Sequence, residues 1–247
     1  APAAQRLLDQ LAVCRGGFGL DALRYFAPDG ERLLAELVDA SLVTCDLSTD
    51  PPRYRLLETV RHVALTHLDA EGERAARDAH ARWMIDHARA LEDGQRVRDT
   101  AVTPALRREM ANLLEALAWL SAPGREDDGA WFAAQLAVAG SGAPDPGLTE
   151  QLRRLAPARV GTPAEALRAL AAGTGEFLSN HFREAERLTT AALDVLPAGH
   201  PMRWPALFVR LSNAMFEGRV ADVHADAQVL AEEPEAPAWA AGQAPCC

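Results

Sequence analysis

The sequence predicts a mainly α-helical protein with one small β-hairpin in its first quarter. Three observations support this fold class. Aromatic residues make up only 6% of the 247 residues, while Ala and Leu are abundant. Most apolar residues recur at helical spacing, and this spacing is interrupted between residues 42 and 56. Because small side chains let helices approach closely, we expect helix packing to form the core.

The first 70 residues predict three helices followed by a hairpin. Leu7, Leu8 and Leu11 give the first helix an apolar face, and Gly16-Gly17 ends it. Asp29 is placed to cap the third helix. The predicted elements are helices over 5–15, 20–26 and 29–40, strands over 42–45 and 54–56, and a helix over 58–68. This order is typical of a winged helix, which we assign to residues 1–70.

Helices continue to the end of the chain. We expect a helical linker or bundle over residues 71–139 and helical repeats over residues 148–247. Small and aromatic residues of the repeats fall at the spacing of the tetratricopeptide helix hairpin: Gly173, Phe177, Phe182, Ala185, Ala192 and Pro197. A second pair over residues 203–230 turns at Gly218. Since a stable stack usually needs three units, we expect the array to continue past residue 247.

Three segments resemble motifs of one known family. In chain order they are Leu11–Phe18 (LAVCRGGF), Arg53–Arg61 (RYRLLETVR) and Asn112–Trp119 (NLLEALAW). They are similar to the winged-helix and first-repeat motifs of bacterial STAND/NB-ARC-type signal-transduction ATPases, which include large LuxR-like and antibiotic-pathway transcriptional regulators. The resemblance implies a nucleotide-binding ATPase domain ahead of the winged helix, with the repeats behind it.

The chain contains no part that we expect to hydrolyse nucleotide. It has no G-x-x-x-x-G-K-[ST] loop, and all 25 basic residues are Arg, so no Walker lysine exists. No nucleophile–base arrangement is evident either, so we expect no enzyme activity. The resemblance implies that this fragment binds no cofactor, while the full-length protein binds ADP or ATP. It also implies that this fragment contacts the nucleotide-binding domain of the same polypeptide.

The wing motif departs from its relatives in one respect. Relatives read Met-His-Asp there, and their His approaches the β-phosphate of ADP in the off state. The aligned residues here are Leu56, Leu57 and Glu58, and Leu57 cannot donate a hydrogen bond. The resemblance therefore leaves Arg55, Arg61 or His62 as nucleotide-proximal candidates.

The repeats are the best candidate for binding an external signal. Tetratricopeptide arrays bind proteins, peptides or small molecules in a concave groove lined by the first helix of each pair. The groove candidates are Glu176, Asn180, Arg210 and Asn213. We therefore predict a non-catalytic sensor segment that couples an inducer on the repeats to the state of the ATPase domain.

Direct DNA binding by the winged helix is the alternative. The helix before the wing would enter the major groove, yet it carries Asp29, Glu31, Glu36 and Asp39 against Arg32. The whole chain has a formal charge of −10, which repels phosphate backbones. We therefore expect no nucleic-acid contact through this fragment, although a winged-helix DNA-binding regulator with a helical ligand-binding domain stays open.

Metal and membrane functions have little support in the sequence. His80 and His87 are two helical turns apart, too far to bind one ion, and the adjacent Cys246 and Cys247 have no second pair. Four cysteines do not suggest a disulfide framework, and no apolar run could span a bilayer. We expect no metal, no membrane contact and a cytoplasmic location.

Overall fold

The computed structural model describes residues 2–96 and 99–241. Cys246 and Cys247 lie outside the described residues. The chain forms two compact units. Unit 1 comprises Ala1–His87 with Glu109–Trp119, and unit 2 comprises Ala88–Arg108 with Leu120–Cys247. The predicted fold class is confirmed: the chain is mainly α-helical with one two-stranded antiparallel sheet.

Unit 1 has the predicted order of three helical segments, a hairpin and a helix. Its elements are α1 (Pro2–Leu11), a 3-10 turn (Leu20–Ala22) leading into α2 (Leu23–Phe26), α3 (Gly30–Asp39), β1 (Val43–Asp46), β2 (Arg53–Leu56) and α4 (Glu58–Thr66). The parts of α5 (Ala70–Arg96) and α6 (Val102–Leu120) that fall inside the unit complete it. Helix α1 packs against α3 and α4, and Leu7, Leu11 and Leu37 are buried there.

The hairpin of unit 1 is joined by a third segment. Val43 pairs with Leu56, and Asp46 with Arg53, across β1 and β2. Phe18 then pairs with Tyr54 through two backbone hydrogen bonds of 2.9 Å. Gly17, with a φ of +88°, makes this approach possible, because a Cβ there would lie 2.6 Å from the Tyr54 carbonyl oxygen.

Unit 2 consists of helices that pack in neighbouring pairs. Apart from its shares of α5 and α6, it contains α7 (Glu126–Gly140), α8 (Pro146–Arg154), α9 (Pro163–Leu178), α10 (Phe182–Val195), α11 (Arg203–Phe216), α12 (Val220–Glu232) and α13 (Ala238–Ala241). Helix α9 packs against α7, α8 and α10, and α11 packs against α10 and α12. The two predicted helix pairs are therefore present.

Local sequence explains the bounds of these pairs. Thr162 and Glu165 form a reciprocal capping box before α9, with Pro163 in the first turn. Asn180 and Gly218 follow α9 and α11 with φ values of 62° and 70°, which end a helix. Gly173 lets α9 and α10 cross closely, since a Cβ there would lie 2.9 Å from Cγ2 of Thr189.

No helix in the described part of the chain combines the length and apolar character that crossing a membrane requires.

Candidate functional site

The three motif segments meet in unit 1 around a buried ion pair. The guanidinium of Arg53, in β2, makes two contacts with the carboxylate of Glu109, in α6, one of them 2.8 Å between Nη2 and Oε2. Both side chains are only 6% exposed. The same Nη2 donates to the Gly17 carbonyl at 3.1 Å. Such a two-pronged contact is the strongest form of Arg–carboxylate pairing.

Asn112 connects this pair to the first motif and to α5. Its Nδ2 donates to the Gly17 carbonyl (2.9 Å) and to Glu109 Oε2 (2.7 Å). Its Oδ1 accepts from the Arg15 backbone N–H (2.7 Å) and lies 3.2 Å from His80 Nε2. Because Oδ1 can only accept, His80 donates from Nε2. The amide side chain is thus fully engaged, and Asn112 itself is completely buried.

His80 completes this network as a neutral imidazole. The ring is 3% exposed, and burial lowers its pKa, although the hydrogen bond to Asn112 opposes the shift. The group formed by Arg53, Glu109, Asn112 and His80, here named the motif network, therefore holds one compensated charge pair in a buried setting. Its geometry fixes the hairpin, the glycine turn and α6 to one another, which is a positioning role rather than a catalytic one.

The sequence reasoning missed this network. Asn112 belongs to a quoted motif, and Glu109 lies one helical turn before it, but their partner Arg53 is 56 residues away from Glu109. The sequence of either segment by itself does not indicate a contact with a residue so far away in the chain. The available signal was Asn112, a polar residue between Ala111 and Leu113.

A basic cavity of about 210 Å³ lies in the same unit. Its lining includes the glycine turn, part of the wing and the start of α4: Cys14, Arg15, Gly16, Gly17, Phe18, Arg55, Leu56, Glu58 and Arg61. The lining thus includes three arginines and one glutamate. Arg15 is paired outside the lining with Glu115 at 2.7 Å. Burial raises the pKa of the Cys14 thiol, so this thiol stays protonated and is not a nucleophile.

Arg61 is the most distinctive residue of the basic cavity. Its side chain is 14% exposed, and Nη1 lies 3.2 Å from Glu58, whose own side chain is 83% exposed. Its Nε is buried without a hydrogen-bond partner among the described residues. A buried guanidinium N–H without an acceptor is costly, so the hydrogen-bonding capacity of Arg61 is not fully used.

The structure brings two of the three nucleotide-proximal candidates together. Arg55 and Arg61 both line the basic cavity, and Arg55 packs so closely on Gly17 that a Cβ there would lie 2.7 Å from its Cγ. His62 is exposed and is not part of the lining.

The four groove candidates of unit 2 differ in their burial and in the residues that they contact. Glu176 forms an ion pair with Arg153 (3.1 Å), and its Oε2 lies 2.6 Å from Nδ1 of His181. Arg210 makes a two-pronged contact with Asp226 on α12. Asn213 is fully buried and donates to the Phe182 carbonyl at 2.8 Å. Asn180 is exposed in the left-handed turn after α9.

A larger, apolar cavity of about 410 Å³ lies in unit 2, and none of those four residues lines it. It is surrounded by the first residues of α6, the end of α7, and parts of α9, α11 and α13. Its lining residues include Val102, Val138, Thr174, Phe177, Trp204, Phe208, Val209, Ser212 and Trp239. This cavity was not among the predictions made from the sequence.

Comparisons with known proteins give a partial match. The chain is 37% identical over 127 residues to proteins of Mycobacterium tuberculosis and Mycobacterium bovis that carry the name HTH-type transcriptional regulator. The match covers 47% of this chain and 14% of each relative, so this chain spans a small part of those proteins. No protein-family model matches the chain, and no solved structure shows significant similarity to it.

Proposed function

We propose that this chain is the non-catalytic sensor and coupling segment of a transcription regulator. Unit 1 would contact a nucleotide-binding domain of the same polypeptide, and the tetratricopeptide-like pairs of unit 2 would take an inducer. The names of the mycobacterial relatives support a role in transcription regulation. The observation that carries the finer proposal is the basic cavity, in which Arg55 and Arg61 meet the glycine turn.

The chemistry of the basic cavity suits the phosphate groups of ADP or ATP. Guanidinium groups bind phosphate oxygens with matched geometry, and the Nε of Arg61 lacks another acceptor. Helix α4 begins at Glu58, and its N-cap residue Leu57 offers no side-chain acceptor, so the first N–H groups are available to an anion. At about 210 Å³ the cavity fits phosphate groups rather than a whole nucleotide.

In this proposal Arg61 takes the place of the His in the Met-His-Asp motif of the STAND/NB-ARC-type ATPases that the sequence resembles. Bound nucleotide would supply the negative charge that Arg55 and Arg61 neutralise. The motif network would hold Arg55 in place, because Gly17 contacts the Arg55 side chain and accepts hydrogen bonds from Arg53 and Asn112. Unit 1 would thereby respond to whether nucleotide is present without taking part in its hydrolysis.

The test is ADP binding by the full-length regulator that contains this chain. We expect Arg61→Ala to weaken ADP binding about tenfold, since a hydrogen bond to a charged group contributes about 1.5–3 kcal/mol. Arg74→Ala is the matched control, because Arg74 is an exposed arginine of α5 outside the cavity. Unchanged ADP affinity in Arg61→Ala would remove the nucleotide role of the basic cavity.

DNA binding by unit 1 is the second candidate, favoured by the HTH-type name of the relatives. The surface of α3 opposes it: Glu31 and Asp39 are exposed, and the single cation Arg32 is paired with Glu36. An electrophoretic shift assay of this chain with mixed-sequence duplex DNA at low salt separates the two functions. We expect no shift, whereas a shift that weakens steeply with salt would favour the DNA-binding function.

A further inference from the structure

The apolar cavity of unit 2 has a lining built from aromatic rings. The ring of Trp239, on α13, meets Trp204 and Phe208, both on α11, edge to face at centroid distances of 5.7 Å. Phe177 contributes from α9, and Val102, Val138 and Val209 also line the cavity. Such a lining favours a flat, aromatic occupant, because aromatic rings gain from edge-to-face and offset contacts beyond the area that they bury.

The hydroxyl groups of the lining restrict the occupant further. Ser141, Thr174 and Ser212 each donate to a carbonyl of their own helix, at 2.8 Å to Val138, 2.9 Å to Leu170 and 2.7 Å to Phe208. A hydroxyl has one hydrogen to donate and two lone pairs that accept. Because the hydrogen is already used, these groups can offer only acceptors to an occupant. A complementary molecule can therefore engage these three groups through an N–H or O–H donor, whereas the hydroxyl of Thr103, the fourth in the lining, can donate as well as accept.

The charge of the lining also limits which molecules can bind. Among the described residues that line the cavity, Asp99 is the charged one, and neither Arg nor His occurs. An anion would leave water for an apolar lining without a cation to compensate for lost hydration, which is unfavourable. The cavity volume of about 410 Å³ lies in the usual range of small-molecule sites.

We propose that this cavity binds a small aromatic molecule that carries no negative charge and has at least one hydrogen-bond donor. This inference rests on the proposed sensor function of the repeats, and it specifies the class of inducer that they take. It also moves the ligand site away from Glu176, Asn180, Arg210 and Asn213 to the inner faces of α9 and α11 that carry Phe177, Trp204 and Phe208.

Two dyes with the same aromatic skeleton test the ligand class on the 247-residue chain. N-phenyl-1-naphthylamine is uncharged and has one N–H donor, whereas 8-anilino-1-naphthalenesulfonate adds a sulfonate to the same rings. We expect fluorescence titration to show the neutral dye binding about tenfold or more tightly than the anionic dye. Equal affinities, or tighter binding of the anionic dye, would overturn the proposal.

Variants of α11 locate the bound dye. Phe208→Ala removes a lining ring and should weaken binding of the neutral dye about tenfold. Met215→Ala is the matched control, because Met215 is 59% exposed on the same helix and does not line the cavity. Neutral-dye binding that survives Phe208→Ala unchanged would place the dye elsewhere and overturn the assignment.

A designed reversal tests the role of charge and does not depend on loss of binding. Ser212→Arg adds a cation to the lining, so the anionic dye should gain affinity and the neutral dye should lose it. Circular dichroism and the midpoint of urea unfolding check that the variant stays folded. If a folded Ser212→Arg protein keeps the original preference, lining charge does not set the selectivity and this part of the proposal is wrong.

The experiments distinguish an error in the proposed class of ligand from an error in the proposed sensor function. If the neutral dye does not bind but Arg61→Ala still weakens ADP binding, only the ligand class is wrong. If the neutral dye binds in the cavity and yet leaves the ADP affinity of the full-length regulator unchanged, the coupling function is wrong. This second outcome follows because a ligand shifts an equilibrium only when it binds the two states differently.

Discussion

The two units differ in the buried contacts that join their segments. Unit 1 places an ion pair, an amide and an imidazole among its apolar residues, and these groups join segments that are far apart in the chain. Unit 2 joins neighbouring helices mainly through Ala, Leu and Gly, as where Ala169, Leu170 and Gly173 are buried within α9. Polar contacts of unit 2 such as Arg210–Asp226 and Asn213–Phe182 join neighbouring helices, whereas those of unit 1 include contacts between segments 56 to 97 residues apart.

The largest expected effect comes from removing one member of the buried ion pair. Glu109→Ala leaves Arg53 buried without a carboxylate, and breaking a buried pair in this way typically costs about 3–5 kcal/mol of unfolding free energy. Hydrogen exchange of backbone amides in α1 and β2 would measure the loss in unit 1. A loss below about 1 kcal/mol would show that the motif network is not what holds unit 1 together.

Two further variants sharpen this result. Glu58→Ala is the control, because its pair with Arg61 is exposed on the Glu58 side and such pairs contribute about 0–1 kcal/mol. Replacing both partners, as Arg53→Met with Glu109→Leu, should recover much of the stability, because no buried charge is left uncompensated.

An intermediate effect is expected where α9 and α10 cross in unit 2. Gly173→Val adds a branched side chain at a point where even a Cβ would lie 2.9 Å from Thr189, and overpacking of this kind costs about 1–3 kcal/mol. Gly142→Val is the control, since a Cβ at Gly142 meets nothing within 4 Å. Urea unfolding followed by circular dichroism would compare them, and equal midpoints would show that the crossing is not tight.

A smaller effect is expected at the start of α9. Thr162→Ala removes the hydroxyl that accepts from the Glu165 backbone N–H and should cost about 1 kcal/mol. Thr103→Ala serves as the comparison because Thr103 lies in the first turn of α6, where it caps no helix in this way. Amide exchange in the first turn of α9 would report the change, and unaltered protection would contradict the capping role.

The smallest effect near neutral pH concerns His80. Burial lowers its pKa in the folded chain, so the unfolded chain binds the proton first as the pH falls. The contribution of His80 to stability is therefore complete above about pH 6.5 and decreases below it. His80→Gln keeps a donor for Asn112 but does not titrate, so the stability of unit 1 between about pH 6.5 and 5 should vary less than in the unaltered chain. Identical pH profiles, measured by amide exchange in α1, would refute this.

The fold was largely predictable because its signals are local. The glycine after α11, the capping box before α9 and the change of period at the hairpin each mark an element without reference to the rest of the chain. The prediction that Gly16-Gly17 ends the first helix is wrong: α1 ends at Leu11, and Gly17 instead permits the close approach of Phe18 to Tyr54. The helix pair 163–195 was predicted from the spacing of Gly173, Phe177 and Phe182, and Phe177 and Phe182 do meet, at a ring distance of 6.2 Å.

The site was predictable only where a resemblance supplied it. The resemblance singles out Arg55, Arg61 and His62; Arg55 and Arg61 line the basic cavity, whereas His62 is exposed and outside its lining. Helical spacing marked Arg210 as a groove candidate but could not reveal its partner Asp226 on α12. The apolar cavity needs five helices to form, so no single stretch of sequence predicts it.

The position of Glu109 has a practical consequence for anyone dividing this chain for expression. Unit 1 is discontinuous, since residues 88–108 belong to unit 2 and the chain returns to unit 1 at Glu109. A shortened product ending near residue 90 would contain α1 to α4 and both strands, yet its Arg53 would have no carboxylate to neutralise it. Successful boundaries must therefore reach at least Trp119, and a soluble product that stops earlier should be checked for a rearranged hairpin.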